Sequence, residues 1–132
     1  MLTRVPSTLP PDIDEVMFKV IGAAIEVHRH LGPGFLKSIY HHAMCVELDL
    51  RGIGFEQKKR VAIAYKGQPL HGQELDVIVE SKVIVEVKAV RQLEDIHSSQ
   101  VVSYLRATGL RGGLLINFNN AILKAGIRRI VW

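Results

Sequence analysis

Leu75-Asp76-Val77-Ile78-Val79-Glu80-Ser81-Lys82-Val83-Ile84-Val85-Glu86-Val87-Lys88 holds two apolar-alternating runs separated by three polar residues. Two such runs around a short turn read as a β-hairpin. With a three-residue loop, Val79 faces Val83, Val77 faces Val85 and Leu75 faces Val87, so one surface of the ribbon is wholly apolar. The other surface then carries Ile78, Ile84, Lys88 and two directly opposed acids, Asp76 and Glu86. A two-residue loop sets Asp76 level with Val87 and mixes the faces, so the apolar pattern selects the first register.

That register has an electrostatic cost. Carboxylates directly across an antiparallel pair lie about 5 Å apart and repel. A divalent cation between them turns repulsion into binding, because Mg²⁺ and Mn²⁺ favour carboxylate oxygens and keep several waters. Lys88 lies two residues beyond Glu86, so its ammonium reaches the same spot. Two acids and a lysine beside a cation suit phosphodiester hydrolysis: the metal neutralises phosphate oxygens and acidifies water, and the lysine orients the nucleophile or balances developing charge. The competing reading is a plain surface salt bridge between Lys88 and either acid.

Working outward, residues 1–11 read as a flexible lead and residues 12–132 as one domain. A first helix is expected from Asp12, capped by its side chain with Glu15 three residues on, and burying Val16, Val20, Ala23, Ala24 and Val27. Leu31-Gly32-Pro33-Gly34 stops it. A second helix over 35–51 is expected to bury Leu36, Ile39, Tyr40, Ala43, Val46 and Leu50. Strands follow at 59–65, 75–79 and 83–90, then a helix over 95–108 ended by Gly109, then strands at 113–118 and 127–131. On the third helix, His97, Gln100 and Tyr104 form a polar stripe opposite Val101, Val102 and Leu105, and Gln100 either reaches the attacking water or a phosphate or is an ordinary exposed helix residue. The order α-α-β-β-β-α-β-β predicts a single α/β domain.

Composition narrows the function. The 132 residues are 48% hydrophobic and 23% charged, too apolar for a disordered chain. No run approaches the ~18 apolar residues of a membrane span, and with no apolar h-region over residues 1–11 a secretory signal is not expected. The lone Cys45 forms no internal disulfide or cysteine zinc site, and a cytoplasmic setting is expected. It reads as a buried small hydrophobe, and His28 as a packing residue near the helix break. All 13 acids lie at or before Asp95, whereas Arg106, Arg111, Lys124, Arg128 and Arg129 follow it. That basic third is the candidate phosphate-binding surface, or else a solvated face.

These residues also resemble a known family. Asp76, then Glu86-Val87-Lys88, then a helix bearing Gln100 resembles the PD-(D/E)XK nuclease superfamily. Glu26-Val27-His28, Leu31-Gly32-Pro33-Gly34, Ile84-Val85-Glu86-Val87-Lys88-Ala89, Tyr104-Leu105-Arg106-Ala107-Thr108-Gly109 and Gly113-Leu114-Leu115-Ile116-Asn117-Phe118 are similar to its small bacterial GxxExxY branch. The resemblance implies a restriction-endonuclease-like core, a mixed β-sheet flanked by helices. It implies Asp76, Glu86 and the Val87 carbonyl as ligands of Mg²⁺ or Mn²⁺, Lys88 as catalytic lysine and Gln100 as helper. The implied partner is nucleic acid, with DNA expected and little sequence specificity. One residue departs from the pattern. The naming motif reads Gly34-Phe35-Leu36-Lys37-Ser38-Ile39-Tyr40, with Lys37 in the glutamate's place. Lys37 removes a ligand charge and competes for the carboxylates, while Glu47 is an alternative acid. The rival readings are therefore an inactive nuclease scaffold that binds nucleic acid or serves assembly, and a homo-oligomeric structural protein.

Overall fold

The computed structural model describes residues 8–132. The first seven residues of the expected lead lie outside the described residues; Leu9 packs into the core and Pro11 opens the first helix. In chain order come α1 (Pro11–Leu31), α2 (Lys37–Leu50), β1 (Phe55–Val61), β2 (Ala64–Tyr65), β3 (Gln68–Pro69), β4 (Gln73–Val79) and β5 (Val83–Lys88). Then follow α3 (Asp95–Thr108), β6 (Gly112–Asn117), a 3₁₀ turn (Leu123–Gly126) and β7 (Ile127–Val131). Five strands make one sheet in the order β1-β4-β5-β6-β7, while β2 and β3 pair as a separate short hairpin. Only β5 and β6 run parallel, with α3 as the crossover between them.

The sheet is covered on both faces. Val77, Val79, Val83, Val85 and Val87 pack with Met17, Val20, Ala24 and Met44 of α1 and α2. Ile78, Ile84 and Leu115 pack with Val101, Tyr104 and Leu105 of α3. The result is the expected single mixed α/β domain, a five-stranded mixed sheet between helices. Adjacent glycines on β6 let both layers close in. A Cβ at Gly112 would lie 2.6 Å from Met17 Cε, and one at Gly113 2.6 Å from Val101 Cγ1.

The central hairpin has the expected register, Val79 opposite Val83 and Val77 opposite Val85. Its turn is made by Glu80 and Ser81 with φ of 53° and 56°, closed by the Lys82 amide on the Val79 carbonyl at 3.0 Å. Two successive left-handed residues match the twist of the flanking strands. Glu80 is held there because its amide donates to the Gly54 carbonyl at 2.9 Å.

Four expectations are corrected. Leu75 does not share a face with Val77: it joins Val61, Ile84 and Val101 on the α3 side. The regular β1–β4 ladder skips Lys58 and Asp76, and Lys58 has φ +52°, so the strands rotate there and the following residues change face. Asp12 is not the cap of α1; Pro10 is, with no side-chain cap bond, and Pro11, which lacks an N–H, occupies the first turn. α2 buries Tyr40, His41, Met44, Cys45 and Leu48, leaving Leu36 and Leu50 76% and 77% exposed. Tyr40 fixes that rotation: its ring stacks on Phe118 at 4.8 Å, its hydroxyl donates to the Gly32 carbonyl, and the Phe35 amide donates to it at 3.1 Å. The strand expected at 59–65 is β1 plus the β2–β3 hairpin, because pairing with β4 starts at Phe55 opposite Val79.

Candidate active site

Regular pairing from Val79 to Val77 brings Asp76 of β4 level with Glu86 of β5. At that level side chains replace the ladder. The Asp76 amide donates to Glu86 Oε1 at 3.0 Å, and the Val87 amide donates to Asp76 Oδ2 at 2.8 Å. Each carboxylate thus crosses to the opposite strand, and the two acids meet as the hairpin pattern predicts.

The pair is enclosed. Glu86 is 4% exposed. Burial first, and the Asp76 charge second, push its carboxyl up to about 7, against the pull of the Asp76 amide and the Lys37 charge. Tyr104 lies over the same enclosure, and its hydroxyl donates to the Glu74 carbonyl at 3.2 Å. Its phenol is pushed up to about 12 by burial and then by the charges of Glu86 and Asp76. The Tyr104 end of the polar stripe is therefore buried against the sheet. His97 has left that stripe. Its Nδ1 accepts the Glu94 amide at 2.9 Å in a capping box that starts α3.

Two lysines belong to this region, and one of them is bonded to an acid. Lys88 Nζ donates to Gln100 Oε1 at 3.3 Å, so β5 and α3 bring the expected lysine and its helper together. Lys37, the first residue of α2, donates from Nζ to Asp76 Oδ1 at 3.0 Å. The residue standing in the glutamate's place thus reaches the carboxylates and neutralises one of them. Glu47 does not replace the missing acid, because it pairs with Arg51 at 2.7 Å.

A model of the PD-(D/E)XK nuclease superfamily matches residues 14–130, nearly the whole chain. The chain belongs to that superfamily. No curated protein and no solved structure matches it. PD-(D/E)XK nucleases generally use divalent metals, so the donor set bears directly on what this member can hold. Among the described residues, no group of three or more His, Cys, Asp or Glu could hold a metal ion. Two carboxylates suffice for Mg²⁺, which retains several waters and needs only one or two protein acids. The Asp76–Glu86 pair supplies that number of acids, and its buried repulsion is eased by the raised Glu86 carboxyl and by the Lys37 ammonium. Lys37 is the competitor of a metal ion there.

The C-terminal cations of this PD-(D/E)XK protein do not form one surface. Arg128 faces α3, donating to Ser98 Oγ at 3.0 Å and the Leu93 carbonyl at 3.1 Å. Arg129 faces the opposite layer and pairs with Asp14 of α1 at 3.1 Å. Arg106 lies 4.7 Å from the Trp132 ring centroid, while Arg111 and Lys124 are exposed. His28 is a packing residue, with Nε2 2.8 Å from the Asn120 carbonyl. Cys45 is buried, and burial pushes its thiol up, as suits an inert core residue. Sequence reasoning missed Asn117, 1% exposed, whose amide group clamps both the N–H and the carbonyl of Val90 at 3.0 and 2.9 Å. A lone Asn at a strand end carries no periodic signal.

Proposed function

We propose that the protein is a divalent-metal-dependent nuclease of the GxxExxY branch, hydrolysing phosphodiesters of nucleic acid in the cytoplasm. The observation that carries this reading is the meeting of Asp76 and Glu86 across β4 and β5, with Lys88, two residues beyond Glu86 on β5, bonded to Gln100. Asp76, Glu86 and the Val87 carbonyl are the groups that would hold Mg²⁺ or Mn²⁺. When bound, such an ion supplies positive charge to phosphate oxygens and makes a nearby water more acidic. Lys88, steadied by Gln100, orients that water or stabilises negative charge on the phosphoryl oxygens as it develops. Tyr104 closes the enclosure and keeps bulk water from the buried acid.

One observation favours a weaker activity, or a scaffold that binds without cutting: the Lys37–Asp76 ion pair at 3.0 Å. It places an ammonium where a divalent ion is needed, and the ion must displace it. Incubation of plasmid DNA and of RNA with Mg²⁺ and with Mn²⁺ separates the readings. Cleavage lost in both Asp76→Ala and Lys88→Ala supports the nuclease. Salt-sensitive binding without cleavage under either metal supports the scaffold.

A further inference from the structure

The cationic residues expected to contact phosphate are largely engaged elsewhere, Arg128 and Arg129 on opposite faces of the sheet and Arg106 on Trp132. A different cationic surface lies at the far edge. β1 is an edge strand, and residues 56–60 are all exposed. Across residues 55–71, Lys58, Lys59, Arg60 and Lys66 stand against the single acid Glu56, which pairs with Lys59 at 2.8 Å, and Arg60 donates to the Gly72 carbonyl at 3.3 Å, so the segment keeps a net charge of +3. Charged residues on an edge strand guard against pairing with other chains. Lysines on β1 serve that purpose well, but Lys66 lies beyond the strand, between β2 and β3, where there is no edge of the main sheet to guard.

Position distinguishes this edge further. Lys58, held at φ +52°, lies at the skipped pair opposite Asp76, between Gln57 opposite Val77 and Lys59 opposite Leu75. The strand therefore crosses the carboxylate site at its most cationic point. Beside it, a groove of about 330 Å³ is lined by Lys59, Arg60, Ser81, Thr108 and the acid Glu56, one helical turn along α3 from Tyr104. The β2–β3 hairpin extends the surface with Tyr65, 60% exposed, and Lys66 Nζ 5.4 Å from its ring centroid. Cations spaced along a strand, ending in an exposed aromatic ring, suit a phosphate backbone and a stacked base.

We propose that β1 and the β2–β3 hairpin form the track that holds a nucleic-acid backbone and leads it to Asp76 and Glu86. This rests on the nucleic-acid reading of the site, and the test separates the two. Fluorescence anisotropy of a fluorescein-labelled DNA duplex, with EDTA present to prevent cleavage, is followed against salt for three proteins. They are the wild type, an edge variant (Lys58→Asn, Lys59→Ala, Arg60→Ala, Lys66→Ala) and an Arg111→Ala/Lys124→Ala variant. Asn is chosen at 58 because it tolerates positive φ. Each lost phosphate contact flattens the log–log salt dependence by roughly 0.9, so loss of all four contacts is expected to take about 3.6 from the slope and at least tenfold in affinity. Wild-type binding that the edge variant retains in full, with an unchanged slope, overturns the track while leaving the nucleic-acid reading standing. Absence of wild-type binding to duplex, single-stranded DNA and RNA alike overturns both. Unchanged thermal melting of the edge variant identifies its loss as one of contacts, because all four side chains are exposed.

Discussion

Replacing Glu86 by Gln should remove a loss of stability that the wild type suffers as pH rises. Glu86 is buried beside Asp76, and its carboxyl is raised from an ordinary 4.5 to about 7. Between those values the folded state holds a proton that the unfolded state has released. Stability therefore falls as pH rises from about 4.5 to about 7 and levels off above it. A shift of that size corresponds to on the order of 3 kcal/mol, since each unit is worth about 1.4 kcal/mol. Gln keeps the shape and the acceptor for the Asp76 amide but cannot ionise. Urea unfolding of both proteins from pH 4.5 to 8, without metal, should show the wild type losing stability relative to Glu86→Gln across that window. Parallel profiles in the two proteins would refute the claim that two carboxylates share this enclosure.

Two further perturbations test how the fold positions the site. Gly113→Ala sets a methyl 2.6 Å from Val101 Cγ1, so α3 must back away from the sheet; a loss of roughly 1–3 kcal/mol in urea unfolding is expected. Because α3 carries Gln100, cleavage should fall more than this stability loss explains. Tyr40→Phe keeps the stack on Phe118 but removes the hydroxyl that bonds Gly32 and Phe35, and should cost about 1–2 kcal/mol by the same measurement.

The parts of this molecule legible in its sequence are those where alternation is strict. The Val77–Val79 and Val83–Val85 runs leave one sensible register, and that register brings Asp76 to Glu86. α3 and its end at Gly109 were equally plain, since the glycine caps the helix at φ 75°. The buried face of α2 was not. Its sequence carries two neighbouring apolar stripes at helical spacing, Leu36-Ile39-Ala43-Val46-Leu50 and Tyr40-Met44-Leu48. Periodicity weighs these alike, and the choice is made by Tyr40 meeting Phe118, a contact 78 residues away in sequence. Arg128 and Arg129 part to opposite faces for a related reason: a net charge along the chain says nothing of which layer each side chain enters, and on a strand neighbours point opposite ways. Lys37 was visible as a departure, but only the fold shows its ammonium bonded to Asp76.

The account turns on whether the Asp76–Glu86 pair is a cation site contested by Lys37. Isothermal titration of Mn²⁺ into the wild type, Glu86→Gln and Lys37→Glu tests this most directly. Binding should be present in the wild type, lost in Glu86→Gln and at least tenfold tighter in Lys37→Glu, which removes the competing ammonium and restores an acid beside the pair. Absence of Mn²⁺ binding in both the wild type and Lys37→Glu would contradict it.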